Sequence, residues 1–168
     1  MYAANEAVTR TQYLTFKLGG EEYAVSILQV REIIDFDSIT RVPRTPHFIR
    51  GVINLRGSVV PVIDLATKLG LPETAVTNRT CIVIVEADLE GDRVLMGIVT
   101  DEVSQVLDLH PQDIEQPPSF GMSVNTEYLL GIGKLGRRFV LLLDIDRVLS
   151  ASELASAAAV GGGAEQDG

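Results

Sequence analysis

The sequence has no tryptophan, two histidines and one cysteine, Cys81. A lone cysteine cannot close an intramolecular disulfide or build a cysteine-based zinc site, so neither device staples this chain. A reducing compartment is expected. Cations are also scarce: 14 lysines and arginines stand against 23 aspartates and glutamates, a formal net charge of −9. That field disfavours nucleic acid and anionic membrane surfaces as partners. No run of about 18 apolar residues occurs, so no bilayer-spanning helix is expected. The first residues, MYAANEAVTRTQ, lack a basic segment followed by an apolar run, and no signal peptide is expected there. The expected location is the cytoplasm. The phosphate-cradling pattern G-x-x-x-x-G-K-[ST] is missing as well.

What is present is a worn internal copy. Residues 51–65 read GVINLRGSVVPVIDL, and residues 131–145 read GIGKLGRRFVLLLDI. They share Gly51/Gly131, Leu55/Leu135, Val60/Val140 and Asp64/Asp144. A second block repeats in the same order. Tyr23-Ala-Val-Ser and Val30-Arg-Glu-Ile-Ile correspond to Met96-Gly-Ile-Val and Val103-Ser-Gln-Val-Leu. Two similar β units in tandem are implied. At 168 residues, each unit is too small to be comfortably stable alone, so a shared apolar seam is expected.

The local pattern is one of short strands. Leu14, Phe16 and Leu18 alternate with polar neighbours, Gly19-Gly20 turns the chain, and Tyr23, Val25 and Ile27 alternate again, which predicts a hairpin. Residues 30–36 predict a third strand, or a helical turn running into one. Thr45-Pro46 looks like an N-cap followed by a first-turn proline, predicting a short helix that stops before Gly51. Two strands around Arg56-Gly57 follow, and Asp64 is expected to cap a helix over 65–69 that Gly70 ends. Residues 71–79 are a linker. Cys81 to Val85 is an apolar run suited to a strand buried on both faces. Glu90-Gly91-Asp92 is a turn, residues 93–109 supply two strands, and 110–123 form a long loop. Residues 127–143 repeat the hairpin, and Asp144 caps a last helix from 145 to about 156.

The expected architecture is therefore all-β with short helices: two pseudo-symmetric five-stranded barrels, closed so that few strand edges remain open. Residues 1–10 are expected to be disordered. The folded region is 11–150, with subdomains at approximately 11–70 and 80–150. Residues 151–168 hold the helix end and a disordered Ala/Gly-rich tail.

Chemistry is sparse. Gly131-Ile-Gly133-Lys-Leu-Gly136 matches G-x-G-x-x-G, but it lies between two strands, where a hairpin is the better explanation. His47 and His110 sit beside prolines without ligand spacing. Asp144-Ile-Asp146 has a metal-binding form, yet an N-cap accounts for Asp64 and Asp144 together. Cys81 lies in an apolar strand, which raises a thiol pKa and makes it inert. No catalytic residue, cofactor or metal is expected. A candidate binding surface remains at Asn54-Leu55-Arg56-Gly57, where Gly57 suits a positive φ and Arg56 stands at a turn as an interface anchor. The alternative is a solvated turn arginine. Strand 30–36 adds a second patch, with Val30 and Glu32 on one side by period two and Arg31 and Ile33 on the other. Two further readings stay open at this level: an enzyme or small-molecule sensor using a pocket between the barrels, and an oligonucleotide-binding barrel, which the acidic charge opposes.

Four blocks in order, EEYAVSILQVREI, TPHFIRGVINLRGSVVPVIDL, VLMGIVTDEVSQVL and TEYLLGIGKLGRRFVLLLDID, resemble the CheW coupling proteins of bacterial chemotaxis. The likeness runs from about Gln12 to Leu149. It implies two interlocked SH3-like barrels and no enzymatic activity. It implies a scaffold that couples methyl-accepting chemoreceptors, at their cytoplasmic tip, to the regulatory domain of a CheA-type histidine kinase. It maps Val30 and Glu32 of a V-x-E motif, and Asn54, Leu55, Arg56 and Gly57 of an N-L-R-G motif, onto partner contacts. A kinase's phosphoacceptor and ATP-binding domains do not fit in this length, nor does a receiver domain, so the freestanding adaptor is expected. It is expected to be mostly monomeric when free, cytoplasmic, associated with receptor arrays at the inner membrane, and without nucleic-acid binding or membrane insertion.

Overall fold

A computed structural model describes residues 11–37, 39–116 and 126–148. The expected disordered ends at 1–10 and 151–168, and the extension of the last helix towards 156, lie outside the described residues. The strands are β1 (Thr11–Leu18), β2 (Glu21–Ser26), β3 (Val30–Asp35), β4 (Ile49–Leu55), β5 (Ser58–Asp64), β6 (Cys81–Leu89), β7 (Asp92–Thr100), β8 (Glu102–Leu109), β9 (Ile114–Glu115), β10 (Leu129–Leu135) and β11 (Arg138–Leu143). Two single-turn helices, α1 (Leu65–Lys68) and α2 (Ile145–Val148), follow β5 and β11.

The strands form two curled sheets, ordered β3-β6-β7-β5-β4 and β8-β1-β2-β11-β10-β9. The sequence repeat is visible in the pairing itself. β4 pairs with β5 through a bulge between Ile49 and Gly51, and β10 pairs with β11 through a bulge between Leu129 and Gly131. Val62 lies opposite Gly97 in a parallel pair, and Leu142 lies opposite Ala24 in another. Val85 faces both Val30 and Met96, as Phe16 faces both Val103 and Tyr23. The backbone N–H of Asp64 donates to Phe48 O at 2.7 Å, and that of Asp144 to Tyr128 O at 2.8 Å.

The strands do not stay within the sequential halves on either side of the 71–79 linker. The hairpin β1–β2 joins β8, β11 and β10, while β6–β7 joins β3, β5 and β4. The two parallel pairs, β5 with β7 and β2 with β11, are the seams of this exchange. The second sheet has a sixth strand, the two-residue β9, added at its edge.

Burial follows from the exchange. One cluster, including Ile53, Val60, Val62, Ile82 and Ile84, fills the first sheet's barrel. Another, including Tyr13, Leu109, Val140 and Leu142, fills the second. The largest lies between them, where Phe16, Tyr23 and Leu143 of one sheet meet Ile63, Val83 and Met96 of the other. Side chains alternate along each strand, so a strand such as β6 feeds a barrel interior on one face and the seam on its other face. That explains why residues 82–85 are all buried.

Glycine at positions 51 and 131 has one physical cause. At Gly131 a Cβ would lie 2.6 Å from Ile114 Cγ2 and 2.9 Å from Glu115 O. At Gly51 it would run into the Thr40 carbonyl, on the segment that pairs with Val52. In both barrels a crossing chain lies directly on the strand.

Two local expectations need correction. No helix forms over 46–50; the chain turns and enters β4 at Ile49. The Thr45 hydroxyl donates to Val42 O at 2.9 Å instead of accepting from the next turn, and the bond from Ile49 N to Pro46 O closes one turn only. Nor does period two hold in β3. A bulge between Val30 and Glu32 places Val30 opposite Val85 and Glu32 opposite Ile84. Directly paired residues share a face, so Val30 lies on the seam side and Glu32 on the barrel-interior side.

Candidate partner-binding site

The β4–β5 turn is built by two successive positive φ angles, 50° at Arg56 and 90° at Gly57, the signature of a type I′ hairpin turn. Glycine enters that region freely, but arginine does so only under constraint. Two side chains constrain it. Asn54 Oδ1 accepts from the Gly57 backbone N–H at 2.7 Å, which braces the turn from within. Glu32, on β3, takes the guanidinium as a fork: Arg56 Nη2 lies 2.5 Å from Oε1 and Nη1 lies 3.3 Å from Oε2.

β3 and β4 are opposite edges of the five-stranded sheet. The Glu32–Arg56 pair therefore reaches across the gap and closes the curled sheet into a barrel. The Arg56 side chain is 73% exposed and that of Glu32 28%. The hydrogen bond from Arg56 holds the Glu32 carboxyl below its ordinary range; desolvation opposes it, and the arginine's charge adds to it. The same bond raises the guanidinium further above its ordinary value. The second barrel has no such pair: its equivalent residues are Gln105 and Gly136.

The structure thus brings Glu32, Asn54, Leu55, Arg56 and Gly57 to one barrel mouth. Leu55 is half-buried against the barrel interior, so it anchors the turn more than it offers contact area. Val30 is set apart on the seam side, half-buried against the main core. Sequence reasoning did not single out Leu28, which is 85% exposed in the 3-10 turn just before Val30. Ile33 and Val59 are exposed apolar residues as well. The signal for Leu28 was available: Ile27-Leu28 continues the alternation of β2, and one of two adjacent apolar residues must face outwards.

The aspartates among the other candidates make structural contacts. Asp64 is fully buried and caps α1, accepting from Thr67 N at 3.2 Å and from Thr74 N at 3.1 Å. Asp144 sits before α2 and accepts from the Asp146 backbone; desolvation, then the Asp146 charge, pushes its carboxyl up. Asp146 Oδ1 accepts from Asp88 N at 2.8 Å and Gln29 Nε2 at 3.1 Å, tying α2 to the other sheet. Gly131 and Gly133 lie within β10, and Gly136 is in the hairpin turn. His47 packs edge-on against Phe48, and His110 precedes a 3-10 turn in which its N–H donates to Asp113 at 3.1 Å. Burial, then the Asp35 charge, pushes the Cys81 thiol up.

A family model described as a CheW-like domain matches residues 12–153. The chemotaxis protein CheW of Klebsiella aerogenes is 44% identical over 144 residues, covering 86% of this chain and 84% of that one. The chemotaxis protein CheW of Bacillus subtilis is 37% identical over 154 residues, covering 90% and 95%. Among solved structures, the scaffolding protein TtCheW from Thermoanaerobacter tengcongensis superposes with a TM-score of 0.76 at 31% identity, over 85% of this chain and 90% of that one.

Proposed function

The chain belongs to the CheW-like family, a family of non-catalytic chemotaxis scaffolds, and from that premise we propose that it joins the cytoplasmic tip of methyl-accepting chemoreceptors to the regulatory domain of a CheA-type histidine kinase. Among the described residues no helix is long and apolar enough to cross a membrane. The protein then reaches receptor arrays at the inner membrane from the cytoplasm, by protein contacts alone, and is mostly monomeric when free.

The observation that carries the site is the forked Glu32–Arg56 pair on an exposed, braced turn. A planar guanidinium held in place loses little rotamer freedom when a partner docks, and its outer face keeps donors for carbonyls and carboxylates. Glu32, Asn54, Leu55, Arg56 and Gly57 form this contact. Val30, with exposed Leu28 beside it, forms a second contact nearer the seam, where an amphipathic receptor helix lays its apolar face. A barrel in the kinase meets this chain at a different surface from the one the receptor uses. Contacts between unlike surfaces are heterologous and can close into rings. Each can be weak, about micromolar, because an array multiplies them. Signal then passes by a shift in kinase population, which the scaffold biases by binding one kinase state more tightly.

The test is reconstitution of kinase, receptor membranes and this chain, reading autophosphorylation. Arg56→Glu sets two carboxylates against each other at the barrel mouth. It should abolish coupling while the circular dichroism spectrum stays that of the folded protein. Normal kinase activation by a folded Arg56→Glu protein refutes the assignment of Arg56.

A further inference from the structure

The loop that leads into β4 borders an open cavity of about 500 Å3 at the edge of the first sheet. Its charged lining is unlike the rest of this acidic molecule. Arg41, Arg44 and Arg50 line it, and Glu73 is the sole acidic residue among the lining groups. Glu73 is already bound to Arg50, which also lies 3.6 Å from the buried Asp64. Arg50 is thereby neutralised and fixed, with its guanidinium carbon 5.4 Å from the centre of the Phe36 ring.

Arg41 and Arg44 are different. Elsewhere in the described structure most cations pair with the chain's own carboxylates, as Lys17 does with Glu102, Arg31 with Glu86 and Arg138 with Glu22. Arg41 and Arg44 make no ion pair with any described residue and are exposed. Arg44 is also held at φ 66°, a conformation that L-residues rarely adopt outside constrained sites. Two unpaired guanidiniums on one concavity, in a chain of net charge −9, oppose the molecule's overall field.

We infer that this cavity is a second docking site, which takes an extended acidic segment of a protein partner with apolar residues between its carboxylates. Its chemistry favours a peptide over a phosphate. A phosphate needs converging donors for several oxygens, commonly backbone N–H groups at a glycine-rich turn or helix start. Here Pro43 and Pro46 occupy the wall, and proline has no N–H to donate. A carboxylate is satisfied by one guanidinium fork. The two arginine Cα atoms are at most about 10 Å apart along the chain, which suits carboxylates two residues apart on an extended strand, spaced by about 7 Å. Val42 offers apolar contact for the residue between them. This site is separate from the Arg56 turn and does not depend on the role proposed for that residue.

The test titrates the full chain, labelled with nitrogen-15, with the peptide acetyl-Glu-Leu-Glu-Leu-Glu-amide. Shifts should be confined to the backbone amides around 41–47 and to the Nε–H groups of Arg41 and Arg44. They should saturate with a dissociation constant of about 1 mM at low salt, and weaken several-fold on raising salt to about 150 mM, as exposed ion pairs do. The R41E/R44E variant should keep a dispersed spectrum and lose at least about tenfold in affinity. If the double variant does not fold, R41Q and R44Q separately should each weaken binding about threefold. R93Q, at an exposed arginine outside both sites, should bind the peptide normally. Unchanged binding in the arginine variants of the cavity, no localised shifts, or loss of binding in R93Q each overturns the proposal. Inorganic triphosphate saturating the cavity where the peptide does not would also overturn it, because the occupant would then be a phosphate ligand.

Discussion

Replacement of Asp64 by alanine separates a structural carboxylate from a chemical one. The Asp64 side chain is buried, and its two oxygens accept from Thr67 N at 3.2 Å and Thr74 N at 3.1 Å, with the Thr74 hydroxyl at 3.4 Å. Alanine removes the cap of α1, which costs about 1 kcal/mol. It also leaves the buried Thr74 N–H without an acceptor, a further cost of about 1–3 kcal/mol. Loss of the Arg50 contact adds little, since Arg50 keeps Glu73. The sum is about 3 kcal/mol. A domain of this size loses about 2–4 °C of melting temperature per kcal/mol, so a fall of about 6–12 °C is expected. Asp64→Asn keeps one acceptor for Thr67 but turns an amide donor towards the Thr74 N–H, and should cost about half as much. Thermal and urea unfolding followed by circular dichroism measure both. Kinase coupling, assayed well below either melting temperature, should be retained in both variants. A fall below about 3 °C for alanine refutes the cap ledger. Loss of coupling in a folded Asp64→Asn protein refutes the purely structural role.

Other outcomes can be checked more briefly. The Tyr23 hydroxyl is buried without a hydrogen-bond partner, and burial followed by the Glu21 charge pushes its pKa up to about 12. Tyr23→Phe should therefore stabilise the fold by about 1 kcal/mol, and a comparable loss in urea unfolding would show that the hydroxyl has a partner. Glu32 has a lowered carboxyl pKa in the folded state, so its contribution is present above the ordinary value of 4.5 and is lost as pH falls through the folded value. Carbon-13 titration of the Glu32 carboxyl should show this, and Arg56→Ala should return it to the ordinary range; no change would mean the fork does not persist in solution. Gly131→Ala drives a methyl into Ile114 and Glu115, and should cost about 1–3 kcal/mol and loosen β9, read as faster amide exchange at residues 114–115.

Much of the fold is legible because it is locally encoded. Asp64 followed by a short apolar turn and Gly70 signals α1 wherever the chain goes, since capping is settled within a few residues. The Arg56-Gly57 turn is equally local, and its strand register follows from it. The Thr45-Pro46 signal failed for the same reason that others succeeded. Its local chemistry is genuine, but pairing of Thr40 with Val52 draws the segment into a barrel wall. The bulge at Val30–Glu32 was hidden because alternation looks the same with or without an extra residue until a partner strand counts it. The candidate site was half legible: all six residues stood in recognisable motifs, but the bond that joins Glu32 to Arg56 spans the mouth of a barrel.

By itself the sequence determined the duplication, most of the strands and turns, and the capping aspartates. Each is a property of neighbours in the chain, or of a pattern the chain repeats. Only the tertiary structure decided that the first hairpin lies in the second sheet, which strands line the shared seam, and that Glu32 and Arg56 meet. Those depend on the parallel pairs β2–β11 and β5–β7, between strands far apart in the chain. No local propensity specifies such a pair. It is selected because a unit of this size cannot bury enough apolar surface alone, and exchanging hairpins lets both units bury it together.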